Sequence, residues 1–210
     1  MISGTLSNPS KMPCHGYSIP ASRCITGQKL AMVEGSVCEG CYALKNFYAM
    51  DSVQDALEFR FSTLNDPRWV DALVKLIGKS EFFRWHDSGD LQSVEHFSRI
   101  VEVCERTPAT KHWLPTREYR FVMLFIQNGG VIPSNLVVRF SAHMRDAAPP
   151  SGYGLPTSTV HSSEPDSPFT ILNMIPATSH YCPAGKQGNK CLSCRACWDA
   201  TVANVSYHVH

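Results

Sequence analysis

Eight of the nine cysteines in this 210-residue chain stand at its two ends. Cys14, Cys24, Cys38 and Cys41 lie in the first fifth; Cys182, Cys191, Cys194 and Cys197 lie near the finish, and Cys104 alone falls between them. Cysteines used as core filler would not segregate in this way. The placement leaves the middle of the chain to build an apolar core and organises both ends around sulfur. An odd count weighs against a fully paired disulfide framework, and intracellular thiols stay reduced, so the pattern points to metal.

The intracellular setting is itself an expectation from the sequence. The first ten residues lack the charged start and apolar stretch of a signal peptide. No apolar run approaches the roughly 18 to 20 residues needed to span a bilayer. A soluble protein of the cytoplasm is expected. With 43% hydrophobic residues the chain can bury a real core, which excludes a disordered chain. Its 19 basic and 18 acidic residues leave a net charge of +1 with no long runs. That balance argues against a protein that grips nucleic acid through phosphate contacts.

A single domain is expected, with a cysteine-rich segment over 1–50, a β/α core over 51–175 and a second cysteine-rich segment over 176–210. Ser52 and Asp55 read as a capping box ahead of Val53, Leu57, Phe61 and Leu64 at helical spacing. Asp66-Pro67 reads as an N-cap with proline at the first helical position, before Val70, Leu73, Val74 and Ile77 and a stop at Gly78. A third helix covers 92–105, with Cys104 on its apolar face as a buried core thiol. A fourth covers 118–128; Phe121, Val122, Leu124, Phe125 and Ile126 imply extensive burial, and Gly129-Gly130 ends it.

Short apolar runs at 82–86, 111–114, 136–140, 158–161 and 169–172 have strand length. Strands alternating with helices predict an α/β fold with a parallel sheet. Four or five strands are too few for a full eight-stranded barrel, so a partial (β/α) barrel or open parallel sheet is expected, looser after about Ala147. Polar residues follow successive strands: His86, Asp87, Ser88 and Asp90; Thr116, Arg117 and Glu118; Ser141 and His143. In a barrel such ends converge on one face where the site lies. His86, Asp87, Asp90, Arg117 and Glu118 are therefore candidate catalytic residues. The competing reading is structural, since Asp87-Ser88-Gly89 suits a tight turn and Asp90 a helix cap. His161 is a lesser candidate, and His208 and His210 read as exposed tail residues.

Cys191-x2-Cys194-x2-Cys197, with Cys182 upstream, forms a compact loop whose thiolates can turn toward one centre. Ferredoxins use a similar run to hold a cubane cluster, whereas structural zinc more often takes two separated C-x2-C pairs. Cys38-x2-Cys41 is a second chelating pair, with Cys24 as a third ligand and Cys14 as the least certain fourth. The spacing does not decide between two sites and one site shared by both ends. No P-loop, G-x-S-x-G elbow or H-E-x-x-H helix occurs.

Five blocks carry a family resemblance: 11–14 (KMPC), 35–45 (GSVCEGCYALK), 83–90 (FRWHDSGD), 113–118 (WLPTRE) and 191–198 (C-x2-CRACW). They resemble the bacteriophage family known from mycobacteriophage gene product 88, nearly end to end. The resemblance implies a phage protein made inside a bacterial host, and no mechanism. A fainter likeness links Cys38-x2-Cys41-Tyr-Ala to the cluster loop of radical SAM enzymes, which join a partial barrel to a [4Fe–4S] cluster. Their C-x3-C-x2-C motif does not occur here, which argues against carrying S-adenosylmethionine binding over.

The leading expectation is a [4Fe–4S] protein with Cys182, Cys191, Cys194 and Cys197 as ligands and Cys24, Cys38 and Cys41 as further metal-binding residues. It would serve a redox or electron-transfer role or act as a cluster-dependent enzyme, with a small-molecule substrate or a redox partner. The alternative is a zinc-stabilised binding module that acts on a host protein or nucleic acid.

Overall fold

The computed structural model describes residues 2–162 and 174–209. It holds seven strands: β1 (Gly16–Tyr17), β2 (Phe82–Trp85), β3 (Lys111–Thr116), β4 (Leu136–Ser141), β5 (Thr157–His161), β6 (His180–Tyr181) and β7 (Asn204–His208). Their order is β1-β2-β3-β4-β5-β7-β6, and every neighbouring pair is parallel. The two edge strands do not meet, so the sheet is open rather than closed into a barrel. The run expected at 169–172 lies outside the described residues.

Five α-helices accompany the sheet: α1 (Ile25–Leu30), α2 (Asp51–Ser62), α3 (Trp69–Ile77), α4 (Val94–Arg106) and α5 (Tyr119–Gln127). Alternation along the strands sorts their side chains between two faces. Phe83 and Trp85 of β2, Leu114 of β3, and Leu136, Val138 and Phe140 of β4 join α3, α4 and α5 in one apolar core. Cys104 lies fully buried in it, as its position on the helix predicts. Arg84, Trp113, Val137 and Arg139 occupy the intervening positions and point to the opposite face. That second face is covered too, which suits strands apolar on both sides.

The cover is the segment between β6 and β7. Trp198 packs against Phe82 and Trp113 and donates its indole N–H to the Phe83 carbonyl at 2.9 Å. Arg139 fastens the same segment. Its fully buried guanidinium donates to the carbonyl oxygens of Ala196 (2.8 Å), Cys197 (3.1 Å), Asp199 (2.6 Å), Val202 (2.8 Å) and Thr157 (3.2 Å). The C-terminal half of the chain is therefore part of the sheet, not the looser region that its proline and glycine content predicts.

Several local readings need correction. Ser52 lies inside α2 and its capping box does not form; Met50 precedes the helix instead. Asp66 accepts the Arg68 N–H at 2.8 Å in a turn, so α3 starts at Trp69 and Pro67 stays outside it. Helix α4 is capped by Ser93, whose hydroxyl accepts the His96 N–H at 3.0 Å. In α5 Val122 is the buried residue, while Leu124 and Ile126 are 45% and 36% exposed. The helix packs on α4 through one side, and among the described residues no further helix covers the other. No helix among the described residues is long and apolar enough to cross a membrane.

Candidate functional site

The strand ends do gather the polar residues expected there. Asp90 accepts from Thr116 Oγ1 (2.6 Å), Arg117 N–H (2.9 Å) and Leu91 N–H (2.7 Å), which ties the end of β2 to the end of β3. Burial pushes its carboxyl up to about 6, against the pull of those bonds. Asp87 accepts from Ser18 and from Tyr48 at 2.6 Å, and the Ser88 hydroxyl donates to the Ile19 carbonyl at 3.0 Å. Gly89 makes this turn possible, because its φ is +79° and an added Cβ would sit 2.7 Å from the Ile19 carbonyl oxygen. These bonds turn the Asp87–Asp90 segment into a brace between β1 and β3.

His86 is different. It is buried at a φ of +52°, packs edge-on against His96, and neither ring nitrogen has a hydrogen-bond partner. Burial holds its pKa well below the ordinary histidine value, so the ring is neutral. Glu118 is buried and accepts the Thr26 N–H at 2.6 Å through one oxygen; its other oxygen makes no hydrogen bond. Arg117, Glu118, Arg120, Tyr119 and Tyr153 line an open cleft of about 530 Å³ that also reaches Thr26. Ser141 accepts from Ser158 at 2.9 Å, and His143 stacks on Tyr119. His161 pairs with Ser206 at 2.8 Å, and His208 is exposed at the end of β7. His210 lies outside the described residues.

Thr26 leads to the first group of thiols. Cys24 opens α1, and the Cys41 N–H donates to the Cys38 carbonyl at 3.1 Å in the C-x2-C turn. A Cβ added at Gly27 would lie 3.5 Å from Cys24 Sγ and 3.7 Å from Cys38 Sγ. Two thiols thus share a space that the glycine keeps clear. Burial, with Asp90 and Cys41 nearby, pushes the Cys24 thiol up; burial also raises Cys38, against the pull of Arg117.

The second group forms where the two ends of the chain meet. Cys191 N–H donates to the Lys11 carbonyl at 2.9 Å, and Cys14 stands close enough to Cys191 to interact with it electrostatically. Cys182 and Cys194 act on Cys191 in the same way. Cys194 Sγ lies 3.4 Å from His180 Nε2, and Cys197 Sγ lies 3.2 Å from the Tyr207 hydroxyl. Burial raises the Cys14 thiol to about 12 and Cys197 to about 11. A pocket of about 160 Å³ beside them is lined by Lys11, Cys182, Gly185 and Tyr207.

The spacing left one site or two undecided. Cys14 lies near Cys191, and Cys24 lies near Cys38 and Cys41. Among the described residues, no three His, Cys, Asp or Glu side chains stand close enough together to hold a metal ion as they are placed. Thiols are soft donors. Desolvated thiols that stay protonated alone lose their protons when a cation binds, and Gly27 leaves room beside two of them.

The Gene product 88 family model matches residues 1–200. The chain belongs to that bacteriophage family. No curated protein and no solved structure matches it significantly. Both cysteine groups of this family member fall within the matched span.

Sequence reasoning passed over Arg84, Arg139, Tyr207 and Gly27. For the two arginines a signal existed: each is a lone charge inside an apolar strand of a parallel sheet, where a cation needs dedicated partners. For Gly27 and Tyr207 there was none.

Proposed function

We propose that this chain is an iron–sulfur protein. A cluster would be held by four of the five thiols Cys14, Cys182, Cys191, Cys194 and Cys197, and a second metal–thiolate site would involve Cys24, Cys38 and Cys41. The observation that carries the reading is the meeting of Cys14 with the C-terminal cysteines through the Lys11–Cys191 hydrogen bond. That meeting gathers thiols from both ends of the chain where a shared ligand could use them. The nearby pocket of about 160 Å³ supports it.

Such a cluster supplies one-electron transfer. The chain's own residues would give it a setting: Arg139 fixes the backbone on both sides of Cys197, and the Tyr207 hydroxyl lies within hydrogen-bond distance of its sulfur. Three thiols at Cys24, Cys38 and Cys41, fewer than a closed cubane site uses, adjoin the cleft at Arg117 and Glu118, which offers a place for a small molecule. Asp87 and Asp90 act there by holding the strand ends in position.

One observation favours a second reading. His180 beside Cys194 makes a mixed Cys/His donor set, which zinc accepts readily. Metal and acid-labile sulfide content, with an absorption spectrum, on protein purified without oxygen separates the two. About four irons and four sulfides per cluster, in a brown protein, support the iron–sulfur reading. Zinc without sulfide in a colourless sample overturns it.

A further inference from the structure

Glu118 stands between β3 and α5 and is only 1% exposed. One carboxylate oxygen accepts the Thr26 N–H at 2.6 Å; the other, Oε2, is enclosed and makes no hydrogen bond. Arg120 Nε stands 3.8 Å from Oε2, beyond hydrogen-bond reach. Thr26 and Arg120, the neighbours of the two oxygens, both line the open cleft of about 530 Å³, so the free oxygen sits at the cleft wall. A buried carboxylate oxygen without a donor is costly, and a ligand N–H in the cleft relieves that cost.

The rest of the lining indicates what else the ligand carries. Arg117 and Arg120 bring two guanidinium groups to the same cleft. Arg117 Nε donates to the Ala142 carbonyl at 3.4 Å, and among the described residues no ion pair engages its side chain. Arg120 lies over the Phe121 ring at 4.4 Å with more than half of its side chain exposed. Planar guanidinium forks match the oxygens of a phosphate. The cleft also opens beyond the C-terminal end of β3 at the first turn of α5, where open parallel sheets receive anionic ligands. Tyr153 supplies an aromatic wall. It packs at steep angles against Tyr119 and Phe140, at 5.4 and 5.0 Å, and stays 38% exposed, which leaves ring surface for a flat ligand. The volume suits a molecule of nucleotide size rather than a lone anion.

We infer that this cleft binds a nucleotide whose base carries an amino group. The amino N–H donates to Glu118 Oε2, the phosphate lies against Arg117 and Arg120, and the base rests on Tyr153. The inference rests on the reading of the cleft as a small-molecule site, and on no metal at the cysteines.

The test is calorimetric titration of the full chain, purified without oxygen, with AMP, CMP, GMP and inorganic phosphate as probes. The wild type is expected to bind at least one of these nucleotides at a single site, and inorganic phosphate more weakly. E118Q turns an acceptor toward the ligand into a donor, and is expected to weaken that nucleotide by about tenfold or more. Inorganic phosphate should bind E118Q as well as the wild type or better, because a negative charge has left its surroundings. R120Q changes a largely exposed side chain and is expected to weaken nucleotide and phosphate together by about tenfold. No nucleotide binding to the wild type at about 1 mM overturns the inference. Phosphate that binds as tightly as the nucleotides also overturns it, as does unchanged nucleotide affinity in E118Q or R120Q. Equal weakening of nucleotide and phosphate in E118Q overturns it too, and assigns Glu118 to holding Thr26. Should E118Q fail to fold, Y153A takes its place, and nucleotide affinity unchanged in Y153A overturns the inference. Metal and sulfide are counted on the same samples, so failure of the iron–sulfur reading shows there and not in the titrations.

Discussion

The backbone N–H of Cys191 donates to the carbonyl oxygen of Lys11 at 2.9 Å, and this bond joins the two cysteine-bearing ends of the chain. Cys14 should therefore behave as a member of the C-terminal group. Cys14→Ser, Cys191→Ser and Cys194→Ser are all expected to lower bound metal. Cys104→Ser should leave metal content unchanged and cost about 1–2 kcal/mol in thermal unfolding, since it buries a hydroxyl in an apolar site. Metal analysis showing full occupancy in Cys14→Ser alone would remove Cys14 from that group.

Arg139 holds the loop that carries Cys197. Arg139→Met leaves five carbonyl oxygens without their donor, and a loss on the order of 3 kcal/mol or more is expected. Arg139→Lys should recover only part, because an ammonium has three donors and no planar fork. Denaturant unfolding gives the stability. Limited proteolysis between residues 183 and 203 reports whether the loop detaches first.

Acid stability should be set by buried histidines opposing the buried Asp90 carboxyl. Burial lowers His112 to about 4 and His96 to about 3, and holds His86 well below its ordinary value. Below about 6.5 the unfolded chain binds protons that the folded chain refuses, so stability is lost as the pH falls from there. For His112 the loss approaches about 3 kcal/mol by pH 4. Asp90, raised to about 6, acts in the other direction: the folded state takes up its proton first, and stability rises as the pH falls from about 6 to about 4. Asp90→Asn should therefore make the acid loss steeper in that window. An unchanged slope in pH-dependent thermal melts would show that Asp90 is not the opposing group.

The turn at Gly89 should tolerate no side chain. Gly89→Ala combines a φ of +79° with a Cβ against the Ile19 backbone, and more than about 2 kcal/mol is expected to be lost. Gly129→Ala is the control: its φ is +86°, but no atom lies within 4 Å of the added Cβ, so about 1 kcal/mol is expected. Equal melting temperatures for the two variants would show that the Gly89 turn does not brace the strands.

Much of the fold was legible because periodicity is a local property. The apolar faces of α3 and α4 and the runs that became β2, β3, β4 and β5 were readable within a residue or two. The two-residue strands β1 and β6 were not, since a pair of residues has no period. Strand β7 carries an alternation that looked like a tail because its partners, β5 and β6, come from elsewhere in the chain. Among site residues, the cysteines and the strand-end carboxylates announced themselves by type and spacing. Arg84 and Arg139 were visible only as isolated charges.

The sequence by itself determined an α/β chain with a parallel sheet, a core thiol at Cys104, and ends rich in soft ligands. Tertiary structure decided which thiols keep company. Strand β1 pairs with β2 at one edge of the sheet and sets Cys14 next to Arg84. The segment between β6 and β7 crosses the covered face from the other edge, drawn by Trp198 and by the carbonyl oxygens that solvate Arg139. Ligand spacing is a property of neighbouring residues, whereas the partnership of Cys14 with Cys191 depends on strand order and on a buried cation far from both in sequence.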